Sequence, residues 1–484
     1  MSQEIAIFGS AVKSKSSTIT SENRLNVYFE LQDNPDRTPV AAYGTPGFEL
    51  ISEPSMLPTR KMYFMQSKNI LVAIQGNEIF TGSQTILLSL AATLTIAGDT
   101  LGEVQMADNG SQILIITNFG GYILAVSGTT TLIYTLTDIS ASLPAIKPTS
   151  CTYLDGYFIV NSGGTQQFYI SKLYDGLVWN ALDFASAESA PDSITAVFSN
   201  SGYLYLLGSL TTEVWVNSGD PLFPFSRIQG ATIQYGLSSI DALARMNNNV
   251  IGLYQDRQGQ LAIGMITGGT FTELSTPDIA YIINKYADPS LADGFCYSLN
   301  GRYFYQITFQ TSGMSWLFDF KSNAWSQLAS WGMSGSRVRY GCALNHDFVV
   351  SDYLDGKLYR LRADLYTENA QPIVREIIFN QVFENSQNFV VVSRLRALFE
   401  TGQGLSNTAL QGSNPSVLLQ ISRDSGHTWG GYLQTALGKI GEYKARAEWR
   451  RLGQARNWAF KIRMTDPIKF CLVDMALVSG EANK

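Results

Sequence analysis

Charge is scarce in this chain. Asp, Glu, Lys and Arg make up 15 % of its 484 residues against 45 % hydrophobic residues, and they balance to a formal −6. An acidic balance excludes a whole-surface basic footprint for nucleic acid, so any contact with DNA must be local or steric. The ample apolar content excludes an intrinsically disordered chain, and the low charge leaves room for large buried or assembly surfaces. Histidine is scarcer still: His346 and His427 both fall in predicted turns, with no Cys or His partner at metal-ligand spacing. No metal and no cofactor is therefore expected. The four cysteines, Cys151, Cys296, Cys342 and Cys471, stand singly. Without CxxC or CxxH spacing they signal neither a zinc site nor a disulfide framework, and they read as reduced, mostly buried thiols. No stretch reaches the roughly 18 consecutive apolar residues of a membrane span, and residues 1–10 lack a cationic start followed by a long apolar core. The expectation is synthesis in the cytoplasm without a cleaved export signal, and no membrane insertion.

Linear catalytic motifs are missing as well. No GxSxG elbow, HExxH helix, Walker loop or dinucleotide fingerprint occurs. The glycine pairs Gly120, Gly121 and Gly268, Gly269 read as turns. Two carboxylates supplied by separate elements need no linear motif, so a glycosidase stays open on sequence alone. Acids such as Asp155, Asp355 and Glu188 adjoin turns, where hydrogen bonding to backbone accounts for them. The expectation is a protein that is not an enzyme.

What the chain has is a repeat. A short strand, a turn containing Asn, Asp or Gly, and a second apolar strand recur at 62–74, 104–116, 151–160, 194–207, 240–253, 294–307 and 340–350. Such turn residues tolerate the positive φ of tight hairpins. With Leu71, Leu114, Phe158, Tyr203, Val250, Tyr303 and Phe348 marking the second strands, successive separations are 43, 44, 45, 47, 53 and 45 residues. That period is close to one propeller blade. Two blades are read as adding a kelch-like ending, with Trp316, Phe318 and Asp319 followed by Trp325 and, shortly after, Trp331. The rhythm stops near Gln371, where longer alternating strands begin, interrupted by a Gly, Ser and Asn-rich loop at 401–415. The fold read from this pattern is all-β, a β-propeller of about seven blades with a C-terminal β-sandwich-like domain. Residues 1–55 are assigned to an N-terminal arm and first strands, 56–369 to the propeller and 370–484 to the C-terminal β-domain. A polar run at 10–20 reads as an extended arm.

Two local patterns lie in the last domain. Ser422, Asp424, Gly426, Thr428 and Trp429 spell S-x-D-x-G-x-T-W, the Asp-box pattern. Its aspartate can accept backbone N–H bonds across a tight hairpin while the tryptophan covers the turn, which makes it structural and not catalytic. It resembles the Asp boxes of sialidases but occurs once, and no F-R-I-P signature accompanies it. Residues 439–469 hold nine basic residues against Glu442, Glu448 and Asp466. Lys444, Arg446, Arg450, Arg451, Arg456, Lys461 and Arg463 form a basic pole that can face an acidic partner surface or DNA phosphates. A solvated strand face whose Arg stems cover aromatic neighbours is the competing reading.

Four collinear stretches carry a family resemblance. They are Asn26, Tyr28 and Glu30 leading to Thr45, Pro46, Gly47 and Phe48; Ala187, Glu188, Ser189, Pro191 and Asp192; Gly208, Ser209, Thr212 and Glu213 with Ile228, Gln229 and Gly236; and Trp449 to Leu452 with Gly453, Ala455, Arg456, Phe460, Asp466 and Pro467. Together they resemble the tail hub, or nozzle, proteins of short-tailed bacteriophages, the packaged DNA stabilisation family. The resemblance implies a virion protein that forms a homo-oligomeric ring, expected to be a hexamer, below the portal and adaptor proteins. It implies a lumen that retains packaged double-stranded DNA and conducts it at ejection, and sites for a tailspike or tail fibre and for a needle or plug. It implies localisation in the virion tail after assembly in the host cytoplasm, and carries over no catalytic residue and no cofactor. The alternative reading is a glycan-binding or glycan-cleaving propeller, receptor-binding or sialidase-like. Trp179, Trp215, Trp316, Trp325 and Trp331 would either supply its aromatics or pack the blades.

Overall fold

In a computed structural model of the chain, the turns come first in the explanation of the fold. Residues 2–4, 21–31, 40–83, 88–129, 131–379, 381–382 and 388–481 are described, so the polar run at 10–20 lies outside the described residues. Each of the seven repeat turns holds a residue at positive φ: Asn69 (53°), Gly110 (92°), Asp155 (48°), Ser201 (52°), Asn247 (52°), Asn300 (51°) and Asn345 (57°). Three of them, Asp155 and Gly156, Ser201 and Gly202, and Asn300 and Gly301, are two-residue loops with both residues at positive φ. That is the type I′ geometry whose twist matches the flanking strands.

Each hairpin grows into an antiparallel blade of four strands, except that the inner strand of the blade at 236–273 is split into Gly236–Leu237 and Ala244–Met246. Among the described residues the blades occupy 59–93, 104–138, 151–186, 194–227, 236–273, 292–328 and 338–362 with 47–52. They are numbered 1 to 7 in that order. All seven marker residues lie on the second strand of their blades. Those strands read as unbroken apolar runs because both faces are covered. In blade 2, Ile113 and Ile115 turn toward blade 1 while Leu114 and Ile116 turn toward blade 3. Side chains alternate across a strand, so one run of Ile and Leu fills two inter-blade cores at once. Seven such clusters join successive blades into a ring. The longest marker interval, 53 residues, is explained by a helix, Pro277–Ile283, inserted between blades 5 and 6. Thr276 caps it, Pro277 occupies its first turn, and Ile279 and Ile283 pack into the core between those blades.

The segment before the first blade is divided between both halves of the molecule. Strand Gly47–Ser52, within the stretch read from sequence as N-terminal arm and first strands, pairs antiparallel with Leu358–Arg362 and supplies the fourth strand of blade 7. Strand Asn23–Leu25 bridges Ala324–Leu328 of blade 6 and Arg375–Ile378, which makes the sheet of blade 6 continuous with one sheet of the C-terminal domain. Val27–Leu31 and Val40–Gly44 join the other sheet. Asn26, at φ 54°, sits where these paths separate. Its Nδ2 donates to Ala329 O and Val374 O, both at 2.8 Å, and its Oδ1 accepts from Ala329 N at 3.0 Å. The buried Arg375 lies against Gly44, where a Cβ would fall 2.3 Å from its Nε.

The C-terminal domain is a two-sheet sandwich. One sheet runs Val27–Leu31, Val40–Gly44, Cys471–Glu481, Val390–Phe399, Ala447–Ala455; the other continues from blade 6 through Arg375–Ile378, Ala459–Met464, Ser416–Ser422 and Leu433–Ala436. Their inner faces enclose one core that includes Phe29, Leu395, Trp449, Phe460 and Leu477. Trp458 is fully buried there, and its Nε1 donates to Val390 O at 3.1 Å. Asn26→Ala removes three hydrogen bonds at a left-handed position, and is expected to lower unfolding free energy by about 2–4 kcal/mol, measured by urea denaturation. An effect below about 0.5 kcal/mol, the scatter of an uninvolved surface position, would contradict the junction role.

Candidate functional site

The inner strands of the blades leave an axial cavity of about 640 Å³, lined by residues that include Lys61, Tyr63, Gln105, Cys151, Arg245 and Tyr340. Beside it, Asp241 Oδ1 accepts from Lys61 Nζ and from Gln105 Nε2, each at 2.7 Å. Asp293 is fully buried next to this pair, 3.6 Å from Arg339 Nε, and accepts from Gln310 Nε2 at 2.8 Å. Its Oδ1 has no hydrogen-bond partner among the described residues. Burial, and then the neighbouring Asp241, push the Asp293 carboxyl up to about 7; the same two causes raise Glu103 to about 7. A space of this volume fits a small molecule or ordered water. Among the described residues no group of three or more His, Cys, Asp or Glu is placed to hold a metal.

Of the five tryptophans named from the sequence, four take packing positions. Trp316 and Trp325 are buried in the core between blades 5 and 6, and Trp325 Nε1 donates to Leu274 O at 2.9 Å. Trp215 meets the edge of Phe168 at 5.3 Å and donates to Glu213 Oε2 at 2.7 Å. Trp179 is half-buried with Nε1 on Gly176 O at 2.7 Å, and Trp331 is exposed. The motif carboxylates near Trp215 also hold backbone. Glu213 Oε1 accepts from Ser189 N at 2.6 Å, and Asp192 Oδ2 accepts from Leu210 N and Thr211 N at 2.8 and 2.9 Å. The segment 187–192 is thereby tied to the strand that follows Gly208.

The Asp-box residues come together as a turn. Asp424 accepts from the hydroxyls of Ser422 and Thr428 at 2.6 and 2.5 Å and from Thr428 N at 2.8 Å. Ser422 Oγ accepts in turn from Gly426 N at 2.8 Å. These hydrogen bonds, first that from Ser422, hold the carboxyl down to about 2. Gly426, at φ 82°, has no room for a Cβ, which would lie 2.7 Å from Ser21 Cβ. Trp429 is half-buried and carries Lys461 Nζ 4.4 Å above its ring.

The seven basic residues grouped by sequence do not share one face. Arg450 and Arg451 lie on Ala447–Ala455, the edge strand of one sheet, whereas Lys461 and Arg463 point outward from the opposite sheet. Lys461 is 3.6 Å from Glu376, Arg463 donates to Tyr432 Oη at 3.0 Å, and Arg456 lies 4.8 Å from the ring centre of Phe389. Lys444 and Arg446 stand exposed in the loop that precedes the edge strand. Cross-strand register adds two cations that linear reading misses: Arg394 faces Arg450 and Arg396 faces Glu448. Glu448 is 3.4 Å from Arg394, 2.9 Å from Arg396 and also paired with Arg450, leaving an excess of two positive charges. Only the pairing of Val390–Phe399 with Ala447–Ala455 brings them together, some fifty residues apart in the chain.

A ring of antiparallel blades fused to a sandwich through a shared N-terminal segment, with its motif carboxylates engaged in turns, defines a two-part all-β protein. A family model for the β-propeller of bacteriophage P22 Gp10 matches residues 44–366, and one for the β-sandwich of the same protein matches residues 376–477. The chain belongs to the bacteriophage P22 Gp10 family of structural phage proteins. No curated protein matches it. Among solved structures, virginiamycin B lyase from Staphylococcus aureus is similar with a TM-score of 0.45 and 11 % identity, over 65 % of this chain and 99 % of that one. The Pan2 WD40 domain of Neurospora crassa gives a TM-score of 0.41 and 9 % identity, over 66 % and 95 %.

The folded chain keeps the Asp293 proton from the ordinary value of 3.8 up to about 7, while the unfolded chain has lost it. Folded protein therefore binds more protons in that window, and stability falls as pH rises through it. Asp293→Asn is expected to flatten this decline in a melting-temperature series from pH 4.5 to 8. Parallel curves for variant and wild type would contradict the assignment.

Proposed function

We propose that the chain is the tail hub, or nozzle, of a short-tailed phage: a homo-oligomeric ring, expected to be a hexamer, docked below the portal and adaptor proteins. It retains packaged DNA, conducts it at ejection, and anchors tailspikes or fibres and a needle or plug. The observation that carries this reading is the pair of family matches, which follow one another in order from residue 44 to residue 477. The axial cavity supports it from the other side. About 640 Å³ lined by side chains is a small-molecule space, so a DNA path must run between subunits and not through one propeller. A net charge of −6 suits such a path, because a lumen without a dense basic lining avoids the salt-dependent attraction that would hold phosphates during ejection. The buried tryptophans and turn-bound carboxylates favour no glycan site over this reading.

Electron cryo-microscopy class averages of the full chain, with and without a portal and adaptor complex, test the proposal. Closed rings with a central opening that dock on the adaptor are expected. A chain that remains monomeric and leaves the adaptor uncovered would sink the hub reading.

A further inference from the structure

Blade 3 lies across the ring from blades 6 and 7, three blades away in one direction from each of the two sides that carry the C-terminal domain. Its outermost strand, Asp175–Ser186, has no further strand beside it among the described residues. Its pairing with Gln167–Lys172 shifts register twice, so residues 180–183 stand out from the ladder, and the segment is apolar: Leu182 is 80 % exposed, and Leu177, Val178 and Phe184 are exposed with it. Leu222, in the loop before the outer strand of blade 4, is 93 % exposed. Bulges of this kind keep an edge from pairing strand to strand, so what this side offers a partner is its exposed apolar side chains. Cations are few here: Arg227 lines the groove beside Phe184 and Glu188 and lies 3.7 Å from Glu213, and Lys172 is the register partner of Asp175. Between Lys172 and Arg227 there is neither Lys nor Arg, whereas Asp175, Asp183, Glu188 and Asp220 stand on or beside this edge.

The opposite end of the chain carries the complement. Ala447–Ala455 is the last strand of its sheet, four positions from Val27–Leu31, which adjoins the propeller. Leu433–Ala436 is the last strand of the facing sheet, at the end remote from blade 6. On the edge strand Ala447–Ala455 and in the loop just before it stand Lys444, Arg446, Arg450 and Arg451, against Glu442 and Glu448. Lys444, Arg446 and Arg451 have no carboxylate within 4.0 Å among the described residues. The same end exposes Tyr443 (73 %) and Ile440 (59 %).

We propose that these two surfaces bind each other between neighbouring copies of this chain. The acidic, apolar edge of blades 3 and 4 of one protomer docks on the basic distal edge of the β-sandwich of the next. Two different faces at opposite ends of one subunit are what a head-to-tail ring requires, since a two-fold contact would use one face twice. Opposite charge on the two faces favours the head-to-tail pairing and disfavours either face meeting its own copy. The inference rests on the ring reading above and names the contact that would build it.

The test uses two full-length variants. One carries Asp183→Lys, Glu188→Lys and Asp220→Lys; the other carries Lys444→Glu, Arg446→Glu and Arg450→Glu. None of the six side chains lies in a core, so circular dichroism is expected to match wild type. Each variant alone is expected to assemble at least tenfold more weakly in sedimentation velocity. An equimolar mixture is expected to recover rings, because every contact in an alternating ring then pairs opposite charges. Leu182→Ser and Tyr443→Ser probe the apolar part at exposed positions and are expected to raise the monomer fraction. Wild-type rings with both charge variants assembling equally well alone would overturn this contact and leave the hub reading standing. Wild-type chain that forms no ring on the portal and adaptor complex would overturn both.

Discussion

One strand closes the ring. Blade 7 makes three strands from its own stretch of chain, and the fourth, Gly47–Ser52, arrives from the start of the sequence. Leu361 meets Phe48 in this pairing, across more than three hundred residues. Loop-closure entropy grows only as the logarithm of such a separation, so the distance itself costs little in stability. It weighs more on the folding rate, because non-local pairing has to wait for the intervening blades. Without it the core between blades 6 and 7 loses Phe48, and Leu358–Arg362 becomes an open edge.

The same segment ties propeller to sandwich. Asn23–Leu25 links the sheet of blade 6 to the C-terminal domain, and the two strands after Asn26 enter the other sheet of the sandwich. Asn26 itself bonds backbone on both sides of that junction, at Ala329 and Val374. The two halves of the molecule are thus joined by hydrogen-bonded sheet and not by a linker.

Much of the fold was legible because blades are local. A turn that needs positive φ announces itself by Asn, Asp or Gly, and a strand covered on both faces announces itself by an unbroken apolar run, as in Gln112–Thr117. The Asp box was legible for the same reason, since Ser422, Asp424 and Thr428 bond one another within seven residues. Pairings without a neighbouring partner strand were not legible. Nothing around Gly47–Ser52 says that its partner lies at Leu358–Arg362, and nothing near Arg450 points to Arg394 and Arg396. The basic residues after Lys439 looked like one pole because strand alternation and the two-sheet packing, which send Arg450 and Lys461 to opposite outer faces, are not visible in a charge count. The short helix Pro277–Ile283 left only a stretched period as its trace.

Hydrogen exchange on the full-length chain tests the central claim, that the N-terminal segment closes the ring and locks it to the sandwich. The account predicts that amides of Gly47–Ser52 exchange as slowly as those of Leu358–Arg362, and that both open together with blade 7 in one cooperative step. Rapid exchange at Gly47–Ser52 while Leu358–Arg362 and the rest of blade 7 stay protected would contradict it.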